Sequence, residues 1–416
     1  MTLSAIKRNS LVQMLVIAAG YVSAFLLSAI IGRLLGPADF GAWSATAAAS
    51  SIIIGFTALG IDNPVTRRMA IEPSRISQWL GHGVGIRLFI SLPLSCALIV
   101  LAALLNQQGI VSALFAGLYA VYAGLSSVSG LFSRGCQVSH HFAWQFIPLL
   151  AGTLPSLVLA YVLVIKGGGL IDVVLCCASG QLLGLMALAC VMRKVANPRP
   201  RYAWKAWKSI LVESWPLALS TPFLAAYSRV DSVLLLNMQG AESVGYYSAA
   251  YGFFMAFCGL ASGVQSALFP ALSKSYAENQ ASAYRLFKRG LRWMLAMAVL
   301  GIAGTFMLGR LALVLVYGES YAVAANTLEV LMIASIFLLL NNTYGMTLNA
   351  LGRQRVALFV TVCGLLTNVV ANLLLIPSLD FVGAAWATLI TEVVVLAILH
   401  LCLVPQWFAK ELKVMA

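Results

Sequence analysis

Charge is scarce in this sequence. Asp, Glu, Lys and Arg make up 9% of its 416 residues, against about 25% in an ordinary soluble domain. Hydrophobic residues reach 61%, and the mean hydropathy is +0.93. That balance excludes a soluble protein. The longest polar stretches, 193–209 and 273–290, are too short to fold as a domain. The usual signs of metal chemistry are missing too. The eight Cys contain no CxxC spacing, and Cys176-Cys177 is a bare pair in an apolar run. They read as small buried hydrophobes. Histidine is rarer still, and His140-His141 has no carboxylate or Cys beside it. Gly167-Gly168-Gly169 lacks the flanking strand and helix of a phosphate loop. No nucleophile stands with a base in a catalytic pattern. These absences argue against an enzyme, a metal site and a disulfide framework, and no cofactor is expected.

What is present is a series of long apolar runs. A spanning helix needs about 20 apolar residues. On that basis the sequence predicts twelve, at 11–31, 41–62, 84–105, 110–132, 144–165, 170–192, 210–236, 244–269, 291–316, 322–347, 356–376 and 383–404. The first run follows Lys7 and Arg8 but lacks a clear small-residue cleavage site, so it reads as a retained helix. The expected fold is an all-α polytopic membrane protein. Its expected parts are an N-terminal lobe at 1–192, a basic connector at 193–209 and a C-terminal lobe at 210–416.

Lys and Arg are distributed unevenly. With the N-terminus placed in the cytoplasm, cytoplasmic segments and their flanks carry 22. The other side has Arg33, Lys166 and Arg310, and Arg229 lies inside helix 7. Such a bias is the positive-inside signal. It puts both termini in the cytoplasm and accounts for the net charge of +13 without nucleic acid.

One short pattern occurs twice. Gly36–Ala45 reads GPADFGAWSA, and Gly240–Ala249 reads GAESVGYYSA. Gly36, Gly41, Ser44 and Ala45 recur as Gly240, Gly245, Ser248 and Ala249, while Trp43 is exchanged for Tyr247 and Asp39 for Ser243. Each reads as a tight turn between two membrane helices. Asp39 and Ser243 are expected as helix caps, and the aromatic rings are expected at headgroup level. The copies are an even number of helices apart, so the halves are parallel repeats. In such transporters the substrate path lies between the repeats.

Ionisable and amide side chains at membrane depth are costly and usually face a cavity or a partner. Arg229 and Asp231 lie in helix 7, with Arg229 about 10 Å in from its outer end at 1.5 Å per residue. Arg229 suits an anionic group, because its fork of donors binds two phosphate oxygens. Arg33 stands on the sparsely charged outer side, where it either attracts an anion or snorkels. Glu392 falls near mid-membrane in helix 12, where it either carries a proton or bonds to a neighbouring helix. Asp231, Glu392 and the shallower Glu329 are the coupling-ion candidates. Asn368 and Asn372, four apart in helix 11, share one face. With Arg229 and Arg33 they are the cavity candidates, the alternative being glue between helices. Asp62, before Arg67-Arg68, reads as a polar helix exit. Pro93, Pro148, Pro155, Pro216 and Pro222 are expected to kink helices 3, 5 and 7.

The order and spacing of several motifs carry a family likeness. They are GRLLGPADFGAWS and LGIDNPVTRRMA in the first half, and RVDSVLLLNMQGAESVGYYSAAY in the second. VYGESYAVAANTLEVL, NALGRQRVAL and TNVVANLLLIPSLDFVGAAWATLITE follow. The chain resembles the polysaccharide-exporter branch of the MOP superfamily, flippases of O-antigen and exopolysaccharide repeat units. The resemblance implies a MATE-like, V-shaped bundle of two six-helix lobes working by alternating access. It implies a lipid-linked oligosaccharide on undecaprenyl diphosphate as substrate, and proton or sodium coupling. It also implies a bacterial inner membrane, with membrane lipids and polymerase machinery as partners. Asp231 matches a recurrent position of that branch. A MATE-type drug antiporter is the alternative, although its cations call for cavity carboxylates rather than Arg229. Lipid II flippases usually have fourteen helices. A membrane-embedded polymerase or ligase would need a long outer loop, whereas here Asn106–Gly109 is typical.

Overall fold

The computed structural model of the chain describes residues 3–105, 109–197, 199–200, 202–278, 280–350 and 354–415. Most of the loop at Asn106–Gly109, and Arg201 and Arg353 of the charge count, lie outside the described residues.

The described residues are helical almost throughout. In order the helices are α1 Leu3–Leu35, α2 Pro37–Thr57, α3 Asp62–Ile71, α4 Ile76–Ile86, α5 Leu92–Leu105, α6 Gly109–Val138 and α7 Leu154–Ile165. After them come α8 Leu170–Met192, α9 Trp204–Gln239, α10 Ala241–Glu278, α11 Gln280–Tyr317, α12 Ala325–Ala350 and α13 Gln354–Met415. Among these residues ten segments are long and apolar enough to cross a membrane. The protein is a multi-pass membrane protein. One segment, Val356–Cys402, has 47 residues, which is about 70 Å of helix and over twice a bilayer core of about 30 Å. It is two spans folded at Asp380, whose φ of 53° and ψ of −137° leave the helical region. Helix α9 is long enough at 36 residues but carries Glu213, Arg229 and Asp231. The expected twelve and the ten differ at these two places.

Two π-turn segments precede two of the prolines. Arg87–Ser91 leads into α5, where Pro93 is the second residue, and Leu149–Thr153 leads into α7, where Pro155 is the second. Leu92 N–H bonds the Arg87 carbonyl, and Leu154 N–H bonds the Leu149 carbonyl. The wider turn relieves the clash of a proline ring with the carbonyl four residues back.

The chain divides into two compact units. The first holds residues up to Leu35 and Thr46–Arg229, and the second holds Gly36–Ala45 and the residues from Val230 onward. The first unit has a large apolar core in which Ile61, Val65, Leu80, Leu131, Leu188 and Ile210 are all fully buried. Trp207, a residue of the basic connector, is buried in the same core.

In the second unit the repeated turns meet. Each is a single glycine between two helices, Gly36 with φ +88° and Gly240 with φ +92°. A side chain rarely adopts that φ, so glycine is needed there. The expected caps are corrected: Asp39 and Ser243 are third residues of α2 and α10, and the capping position is the glycine. Pro37 at the first position of α2 needs no N–H partner.

Candidate functional site

The polar heart of the second unit is Asp231, which is 5% exposed. Its carboxylate accepts a bond from its neighbour's backbone, Ser232 N–H at 2.7 Å, and another from the Tyr247 hydroxyl. The Tyr247 oxygen lies 3.4 Å from Thr388 Oγ1. The Tyr247 hydroxyl of α10 thus stands between the Asp231 carboxylate of α9 and Thr388 of α13. The expectation for Tyr247 was a headgroup position. Instead its ring is fully buried, and Trp43 is 8% exposed. The reason is the phenol: a buried carboxylate must find donors, and the second turn supplies one. At the matching place in the first half, 204 residues earlier, stands Leu27.

Glu392, 4% exposed, is held from α12. Asn341 Nδ2 donates to its carboxylate at 2.7 Å and to its backbone carbonyl at 2.9 Å. Of the two sequence readings for Glu392, the bond to a neighbouring helix is therefore present. Asn368 and Asn372 do share a face, and they bond each other: Asn372 Nδ2 donates to Asn368 O at 2.8 Å and to Oδ1 at 2.9 Å. Both are buried. The side-chain oxygens of Asn341 and Asn372 are buried without a donor, and such acceptors are rare. Glu329 is half-buried in α12.

In the first unit, Arg229 is half-buried on α9, within electrostatic reach of Tyr119 on α6. Arg33 is exposed in the last turn of α1. Arg229 and Asp231 fall on either side of the boundary between the units.

Sequence reasoning missed one pair. Arg87, only 4% exposed, donates from Nη2 to Asp62 Oδ1 at 2.7 Å. Arg67 and Arg68 bind Glu213 instead, Arg68 at 2.8 Å. Asp62 is thus a partner rather than a simple polar exit. The π-turn that begins at Arg87 is a local widening that no spacing rule signals. Arg87 Nε and Ser91 Oγ are buried without partners beside it.

A family model described as "Polysaccharide biosynthesis protein" matches residues 6–276, well over half of the chain. The chain belongs to the polysaccharide biosynthesis protein family. The likeness read from its motifs is borne out at that level. A second model, MatE, matches residues 216–374.

Three curated relatives are similar to this chain. An uncharacterized membrane protein, MJ1375 of Methanocaldococcus jannaschii, is 25% identical over 45% of this chain and 44% of its own length. A probable flippase, AglR of Haloferax volcanii, is 29% identical over 40% and 36%. The capsular polysaccharide biosynthesis protein CapF of Staphylococcus aureus is 23% identical over 46% and 48%. The chain therefore spans less than half the length of each curated relative it matches. Two solved structures share the fold. The lipid II flippase MurJ, in an inward closed conformation, has a TM-score of 0.74 at 11% identity, covering 95% of this chain and 87% of its own. An inward-facing MATE multidrug transporter of the MOP superfamily has 0.77 at 13%, covering 98% and 99%. The polysaccharide biosynthesis family thus has a MurJ- and MATE-like fold here.

Proposed function

We propose that this chain flips undecaprenyl-diphosphate-linked oligosaccharide repeat units from the cytoplasmic to the periplasmic leaflet of a bacterial inner membrane, for O-antigen or exopolysaccharide assembly. The family match carries the reading, and the names of AglR and CapF point the same way. Arg229 is the residue assigned to the diphosphate, because it is half-buried at membrane depth and its fork of donors fits two phosphate oxygens. Arg33 is a second anion contact, at the outer end of α1. Asn368 and Asn372 bind glycan hydroxyls. Transport proceeds by alternating access of two six-helix lobes, 1–192 and 210–416, joined by the connector. Asp231, Glu392 and Glu329 are the coupling-ion groups, the first two being buried carboxylates that accept bonds from neutral donors. Both termini are cytoplasmic, following the Lys and Arg bias. The exported units feed a polysaccharide polymerase.

Deleting the gene in its host tests the reading. Surface polysaccharide should disappear while complete repeat units accumulate on the carrier lipid at the cytoplasmic face. The match of the MatE model to 216–374 favours a second reading, a cation or drug antiporter. Normal polysaccharide with altered sensitivity to cationic drugs would replace the first reading by the second.

A further inference from the structure

The first unit contains a cavity of about 260 Å³. One wall is α1, and the others are α6, the short helical turn Phe142–Phe146, the π-turn before α7, α7 itself and α8. Its polar lining is Ser23, Tyr122, Gln145, Thr153, Ser156 and Gln181. No Asp, Glu, Lys or Arg stands among the described lining residues.

These groups offer donors and acceptors side by side. Gln145 is buried and held in place by Gln13 at 3.0 Å and Gln137 at 3.1 Å. Ser23 and Ser156 donate to carbonyls of their own turns, both at 2.8 Å, which leaves their oxygen lone pairs to accept. Tyr122 and Phe146 add aromatic walls. The wall where the π-turn and Pro148 before it meet α8 is stiff. A methyl on Gly152 would strike the Gly180 carbonyl, and one on Gly184 would lie 2.9 Å from Pro148 backbone. The space is set by backbone and does not collapse easily.

The lining selects a ligand class. A drug cation would find no carboxylate, and a phosphate would find no cation. A sugar ring carries hydroxyls that both donate and accept, and it has apolar C–H faces for aromatic walls. Sites for drug-sized ligands run about 300–1,000 Å³, so this space suits one ring and not an oligosaccharide. Tyr122 packs edge-on against Tyr119 with centroids 5.5 Å apart, and Tyr119 is the ring near Arg229. Through Tyr119 the cavity wall comes within electrostatic reach of the arginine assigned to the diphosphate.

We propose that this cavity is a subsite for one uncharged sugar residue of the exported glycan, an inference that rests on the flippase reading. The test uses the full chain in lipid nanodiscs and saturation-transfer NMR. The probes are neutral hexoses, N-acetylhexosamines and deoxyhexoses, with inorganic diphosphate and farnesol as competitors. At least one neutral sugar should bind, and diphosphate should not displace it. Gln181→Leu should weaken it about tenfold, the loss of one good hydrogen bond. Thr153→Val, nearly isosteric, repeats the test if the first variant does not assemble. Absence of sugar binding, unchanged affinity in the variants, or displacement by farnesol would overturn the subsite, the last outcome marking a lipid-tail pocket. Export separates the two levels. Normal glycan in a Gln181→Leu strain, beside none in a deletion strain, sinks the subsite and leaves the flippase standing. Normal glycan in the deletion strain removes the flippase reading, and the link between cavity and export goes with it.

Discussion

Gly41 and Gly245 each pack against the first residue of the helix that carries the other. A methyl on Gly41 would collide with the Ala241 carbonyl, and a methyl on Gly245 would collide with the Pro37 carbonyl. The positions correspond under the same 204-residue offset, so the contact is reciprocal, as in an isologous dimer. Small residues let helix backbones approach this closely. Gly41→Ala and Gly245→Ala should each cost about 1–3 kcal/mol, the usual range for overpacking. Gly130 faces open space, so Gly130→Ala should be neutral or stabilising by up to about 1 kcal/mol. Thermal unfolding in nanodiscs checks the three. Equal effects at Gly41 and Gly130 would refute the close contact.

The Arg87–Asp62 pair makes a second prediction. Asp62→Asn leaves a buried guanidinium without its carboxylate, at a cost of about 3 kcal/mol. The double variant Asp62→Asn with Arg87→Met should recover part of that loss. A double-mutant cycle with no coupling would dismiss the pair.

Tyr247→Phe removes a donor from a buried carboxylate. Stability should fall by about 1–3 kcal/mol. Adding Asp231→Asn to it should cost less than the sum, because the charge that needed the phenol is gone. Additive losses in unfolding measurements would show that the two do not act together.

Glu392→Gln separates charge from structure. A glutamine oxygen still accepts from Asn341, so the chain should insert and unfold like the wild type. Glycan export should nevertheless fall and lose its response to pH. Export with an unchanged pH response would remove Glu392 from the coupling groups.

Arg229→Ala should abolish surface polysaccharide while the protein still accumulates in the membrane. Arg229→Lys should restore little, because a point charge does not reproduce a two-oxygen fork. Normal glycan display at normal expression would end the diphosphate assignment.

The sequence alone determined that this is a helical membrane protein, where most helices run, that the two turns repeat, and that Asn368 and Asn372 share a face. These follow from composition and periodicity, because lipid forces every backbone group to bond within its own helix. The sequence also pointed to Glu392 as buried. Tertiary structure decided what those residues touch. Trp43 and Tyr247 look like interfacial aromatics until a buried carboxylate draws Tyr247 inward. Asp62 looks like a helix exit until Arg87, 25 residues away, reaches it. The cavity beside Tyr122 joins residues from α1 to α8. Such pairings depend on how helices cross, and local propensity carries no record of that.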